Sequence, residues 1–106
     1  MTDVLLVALG GALGAVIRYA AGLVAPGPRA TLLVNVAGSL LLGAVAADSP
    51  AWVLTLLGSG VAGALTTYSA FALETVELAP RRAAGNVLAT LALGSAAFAL
   101  GWWLSG

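Results

Sequence analysis

Three runs of amide, hydroxyl and glycine residues interrupt a sequence that is otherwise almost wholly apolar. In the first, Asn35 is followed at spacings of three, four and eight by Gly38, Ser39 and Gly43, which places all four on one helical stripe. Asn86, Thr90 and Gly94 repeat the pattern near the end of the chain. Amides and hydroxyls on such stripes would line a polar track and offer hydrogen-bond donors to something that has lost its water. The same residues would serve equally as interhelical glue, since Ser, Thr and Asn commonly bridge membrane helices at about 0.6 kcal/mol each. The remaining run reads Gly58-Ser59-Gly60-Val61-Ala62-Gly63-Ala64-Leu65-Thr66-Thr67-Tyr68-Ser69-Ala70-Phe71. Glycine is a poor helix former and threonine hydroxyls compete for backbone carbonyls, so a helix should unwind most readily here. Carbonyls freed at membrane depth must be buried in protein or line a cavity, and a dehydrated cation would satisfy them. A glycine-rich packing seam is the plainer account of the same residues.

The elements that position these residues follow from hydropathy. Val4 to Ala25, Ala30 to Ala47, Ala51 to Leu73 and Ala83 to Leu104 are nearly uncharged, and Arg18 is the single charge within them. Each is close to the roughly 20 apolar residues that a membrane helix requires. They predict an all-α membrane protein, one domain of four transmembrane helices over about 4–25, 30–47, 51–75 and 83–104, with the third broken near its middle. The prolines at 26, 28, 50 and 80 are read as lying in the short connections. The amino end, Met1-Thr2-Asp3, lacks the basic residue expected of a cleaved signal. Gly10, Gly14, Arg18 and Gly22 recur every four residues and form a stripe that should face protein.

Composition excludes several functions. Hydrophobic residues make up 61% of the chain and charged residues 8%, against about a quarter charged in a soluble domain. Four basic and four acidic side chains make no patch for nucleic acid. Without His or Cys there is no zinc site, thiol nucleophile or imidazole base, which leaves hydroxyls, carboxylates and arginines for chemistry, and no GxxxxGK loop binds a nucleotide. A proton-coupled exporter of small cations or drugs would need a carboxylate at mid-membrane. Glu74 and Glu77 fall at the end of the third helix, where they would cap it or pair with Arg81 and Arg82, while Asp3 and Asp48 lie outside the spans.

Charge placement also predicts orientation. Arg29, Arg81 and Arg82 lie in the connections on one side, with Arg18 nearer that end of its helix, whereas the side of the termini has only the terminal amine. The positive-inside rule puts the arginine-bearing loops in the cytoplasm and both termini outside.

The four segments GGALGAVIRY at 10–19, TLLVNVAGSLLLG at 31–43, GSGVAGALTTYSAF at 58–71 and NVLATLALG at 86–94 together resemble the Fluc (CrcB) family of fluoride ion channels. The resemblance covers all four helices. It implies a multi-pass protein of the cell membrane, a passive channel and not an enzyme, that passes fluoride out of the cytoplasm and so lowers its toxicity. It further implies an antiparallel, dual-topology-type dimer with two pores and a structural, untransported sodium ion. The matching sodium-binding carbonyls are those of Gly63 and Thr66, and the matching fluoride path comprises Asn35, Tyr68, Ser69, Phe71, Asn86 and Thr90. Arg18 matches the family's first-helix arginine, which would attract anions to a vestibule. Tyr68 stands where the family usually has phenylalanine, and Ala70 where threonine is common. A chain that inserts both ways should show almost no arginine bias. The bias here therefore raises, beside a homodimer, pairing with an oppositely oriented homologous subunit. The reading that stands against a channel is a membrane assembly protein that transports nothing, for which the small-residue seams would be the whole story.

Overall fold

Glycine and proline decide where the chain turns. In the computed structural model, which describes residues 2–25 and 27–105, helix α1 spans Thr2–Val24. The connection closes at Gly27, whose φ of 57° is left-handed backbone that glycine adopts without strain. Helix α2 (Pro28–Ala46) and the last helix, α5 (Pro80–Ser105), both open on a proline. Pro28 and Pro80 thus belong to the helices and not to the connections where the sequence reading put them. In the first turn a missing N–H costs nothing, and the fixed φ of proline already suits a helix.

The third span, Ala51–Glu77, is apolar enough to cross a membrane as one unit but is built in two pieces. Its first piece, α3 (51–65), begins as an α-turn over Ala51–Val53. It is then wound wide over Leu54–Ala62, with hydrogen bonds reaching five residues back, and ends on Gly63–Leu65. Thr66 and Thr67 are extended, with ψ of 150° and 126°, and α4 (Tyr68–Glu77) follows. The expected interruption is present, but it falls on the two threonines alone. Gly58 and Gly60 lie within the widely wound turns and Gly63 opens the α-turn that follows, so all three stay helical.

Close backbone crossings hold the bundle. α1 crosses α3 where Gly10 meets Gly60: a Cβ on Gly60 would stand 2.8 Å from the Gly10 Cα. α2 crosses α5 where Gly43 lies against the Phe98 backbone and Gly101 against the Leu40 carbonyl. Glycine is required at these crossings because the obstacle is backbone, which cannot swing aside. Of the first-helix stripe, Gly10 and Gly14 are buried as expected, whereas Arg18 and Gly22 are exposed in the single chain. Buried apolar side chains are few and mostly small, Leu65 being the largest of them, while Leu5, Val16, Leu23, Leu88 and Trp103 are exposed. The long axis of 44 Å matches a bilayer with its headgroups, about 40–45 Å. The four helices long and apolar enough to span make this a multi-pass membrane protein. Helix direction brings Trp52, Trp102 and Trp103 to one end, and Arg29, Arg81 and Arg82 to the other.

Candidate functional site

The break in the third span is held open by side chains. From α2, the Asn35 amide bonds to both backbone groups of Thr67: the Thr67 N–H donates to Oδ1 at 2.7 Å, and Nδ2 donates to the Thr67 carbonyl at 3.1 Å. Extended backbone at this depth needs such partners, and one amide supplies both. Upstream, the Thr66 N–H and hydroxyl both donate to the Ala62 carbonyl, at 3.0 and 2.9 Å. Downstream, Thr67 Oγ1 accepts the Ala70 N–H at 3.3 Å and so caps α4.

This arrangement strips two carbonyls of their helical donors. In a continuous helix the Gly63 carbonyl would accept from the Thr67 N–H, and the Thr66 carbonyl from the Ala70 N–H. Here those donors go to Asn35 and to the Thr67 hydroxyl. The two freed oxygens are ligands of the type that hard cations take. Gly63 is exposed in the single chain, and the nearest atom to a Cβ built on it is the Gly58 carbonyl of its own helix, 3.8 Å away. Beyond the break, the first turn of α4 presents N–H groups and the positive end of a helix dipole, which favours anions.

A groove of about 430 Å³ runs along the break. Asn35 and Ser39 line it from α2, Thr66 and Thr67 from the break, Tyr68 and Phe71 from α4, and Thr90 and Gly94 from α5. Every side chain around it is neutral. The Tyr68 and Phe71 rings, both lining the groove, stand 6.2 Å apart and are tilted by 51°. An adjoining recess of about 410 Å³ continues past Ser39 and Thr90 to Ser95 and Phe98. A third, of about 280 Å³, opens toward the arginine end between Arg18, Thr31 and Glu74, and reaches Thr67 and Ala70. Thr67 borders both this recess and the groove.

Of the residues singled out from the sequence, Gly63, Thr66, Asn35, Tyr68, Phe71 and Thr90 meet at the groove. Arg18 lies in the recess at the arginine end. Ser69 is on the first turn of α4, its hydroxyl 3.4 Å from that of Thr67, and does not line the groove. Asn86 points elsewhere: its Nδ2 donates to Thr75 Oγ1 at 2.9 Å, and that hydroxyl donates to the Phe71 carbonyl at 2.7 Å. Glu74 takes the hydroxyl of Thr31 on α2, and among the described residues it neither caps the helix nor pairs with Arg81 or Arg82 as the sequence reading expected. Thr67 was read only as part of the break and Glu74 only as a cap or a partner of Arg81 and Arg82, while Thr31, Thr75 and Ser95 escaped the sequence reading. Thr31 was within reach of it, since it precedes Asn35 by one helical turn and extends that stripe.

The sequence matches the family described as CrcB-like protein, Camphor Resistance (CrcB), over residues 5–102. The chain belongs to this family. The CrcB-like match takes in all four helices and both sides of the break. Among curated relatives, "Fluoride-specific ion channel FluC 2" of Halobacterium salinarum is 52% identical, the alignment covering 91% of this chain and 80% of the relative. A protein of the same name from Rhodococcus jostii is 49% identical over 93% and 92% of the two chains. A third, also so named, from Natronomonas pharaonis is 51% identical over 92% and 89%.

Proposed function

We propose that this CrcB-like chain is a fluoride-selective channel of the cell membrane, through which the anion leaves the cytoplasm down its gradient. The observation that carries the reading is the strapped break beside a neutral, hydroxyl-lined groove, found in a chain half-identical to proteins named for fluoride conduction. Fluoride is small and holds its water tightly, so a selective path must replace that water with close donors. The Thr90 and Ser39 hydroxyls, the second Nδ2 hydrogen of Asn35 and the first-turn N–H groups of α4 are donors of the right kind. The rings of Phe71 and Tyr68 line the same groove, and an aromatic edge turned to an anion would attract it weakly. A lysine or arginine in the groove would hold the ion too firmly for release, and the lining is neutral. Arg18 lines the recess together with Glu74 and stands outside the neutral groove, so its charge would not hold the anion in the path.

The freed Gly63 and Thr66 carbonyls fit a structural sodium ion, and two antiparallel copies would contribute four such oxygens. These carbonyls would hold the ion, whose positive charge would offset their dipoles and join the two subunits. The dimer accounts for the openness of the Gly63 face and for the scarcity of buried side chains in the single chain. The arginine bias favours one insertion direction, termini outside, and hence an oppositely oriented homologue as the second subunit.

The decisive experiment is fluoride efflux from liposomes that contain the purified chain alone in sodium, with chloride as the control anion. Fluoride flux without chloride flux is expected if the chain forms its own channel. Silence that is relieved by an oppositely oriented homologue supports the mixed pair, and silence in both arms overturns the channel reading in favour of a non-transporting assembly protein.

A further inference from the structure

We infer that Asn35 and Thr67 act as positioning residues that create the cation site, by withdrawing from two backbone carbonyls the N–H groups that would otherwise cover them. The inference deepens the channel reading above and rests on its sodium component.

The geometry is specific in three respects. The Asn35 amide meets one N–H and one carbonyl of the same residue, so its oxygen and nitrogen are each assigned by a partner of fixed polarity. The N–H it removes is the one that a helix would give to Gly63, and the N–H taken by Thr67 Oγ1 is the one that a helix would give to Thr66. Nothing on α3 itself performs this diversion. Thr66 bonds backwards to Ala62 with both its donors and leaves its own carbonyl free.

Two competing states follow. With Asn35 and Thr67 in place, the break is paired and Gly63 and Thr66 present bare oxygens. Without them, the cheapest way to satisfy the Thr67 and Ala70 N–H groups at membrane depth is to close the helix and return them to Gly63 and Thr66. That closure would remove the cation ligands while preserving helix. Asn35 also lines the groove, so one side chain ties the shape of the cation site to the anion path.

The test compares sodium-dependent protection of the purified assembly against heat, with N-methylglucamine as the replacement cation. Its variants are Asn35→Leu, Thr67→Val, which keeps the shape but lacks the acceptor, and Thr67→Ser, which keeps the acceptor. Circular dichroism reports helix content. Expected is a rise of roughly tenfold or more in the sodium concentration needed for half-maximal protection in Asn35→Leu and Thr67→Val, with near-normal behaviour in Thr67→Ser. Unchanged sodium dependence in the first two variants overturns the inference and leaves the sodium site standing. Absence of sodium-specific protection in the unsubstituted chain overturns both, while fluoride efflux from the same preparation still reports on the channel. Amide exchange in the unsubstituted chain guards against variants that fail to fold. Slow exchange at Thr67 and Ala70 is expected, and fast exchange at both in sodium overturns the pairing on which the inference stands.

Discussion

The two pieces of the third span are joined by two residues yet are held in opposite ways. α3 is gripped by backbone: Gly58, Gly60, Val61, Ala62 and Leu65 are buried, and α1 approaches so closely that a Cβ on Gly14 would stand 2.9 Å from the Ala64 Cβ. α4 has no buried residue at all. It is tethered by polar side chains instead, through Asn35 to Thr67, Thr31 to Glu74 and Asn86 to Thr75. Close packing between glycines gives a rigid half, because displacement collides with main chain. Hydrogen bonds between separate side chains give a half that can be adjusted one contact at a time, which suits the piece that brings Tyr68 and Phe71 to the groove.

The largest effect is expected where the rigid half is attacked. Gly10→Val would drive its side chain into the Leu56 carbonyl and the Gly60 Cα, neither of which can yield. The cost should reach the upper end of the roughly 1–3 kcal/mol typical of overpacking. Loss of monodisperse protein in detergent and a lowered unfolding temperature would show it. Gly85→Ala, on α5 with open space around the new Cβ, should leave stability unchanged or raised by up to about 1 kcal/mol. Equal damage from both substitutions would mean that the crossing is not what holds α3.

A smaller effect is expected at the junction of the two halves. A Cβ on Gly38 would collide with the Thr66 Cγ2 methyl, which moves only if the break shifts or the Thr66 hydroxyl gives up its bond to Ala62. Gly38→Ala should therefore fold but lose fluoride flux by roughly tenfold or more, about 1.4 kcal/mol at the conducting step. Thr66→Ser removes the methyl and keeps the hydroxyl that bonds Ala62, so the double variant should recover most of the flux. Failure of Thr66→Ser to rescue would place the damage at Gly38 itself.

The rigid half was more legible in the sequence than the adjustable one. Hydropathy and proline spacing predicted four spans, and the Gly/Thr run marked the interruption, because these signals are local to the residues that cause them. The spacing of Gly10 and Gly14 disclosed a packed stripe, of which Arg18 and Gly22 are exposed in the single chain, since periodicity cannot say which neighbour covers which turn. Asn35 and Thr90 were found as members of polar stripes. What Asn35 bonds was not, because its partner lies 32 residues away on backbone that is extended only in the fold. Asn86 was assigned to the same track as Thr90, one turn along. The structure turns it instead toward Thr75, a residue no stripe had marked.

The weakest tether offers the finest test of the adjustable half. The Asn86 amide, the Thr75 hydroxyl and the Phe71 carbonyl form a chain of bonds from α5 to the backbone of a groove-lining aromatic. Asn86→Leu alone and Thr75→Val alone should each destabilise by about 0.6 kcal/mol, the usual worth of a hydrogen bond between membrane helices. If the bond is the tether, the double variant should cost less than the sum, because the second substitution removes a partner already lost. Additive losses would show the two residues acting separately. Fluoride flux read alongside stability then sorts the role of Asn86. A flux loss shared equally by Thr75→Val, which does not touch the groove lining, assigns Asn86 to positioning Phe71. A loss confined to Asn86→Leu assigns its amide to the ion path itself.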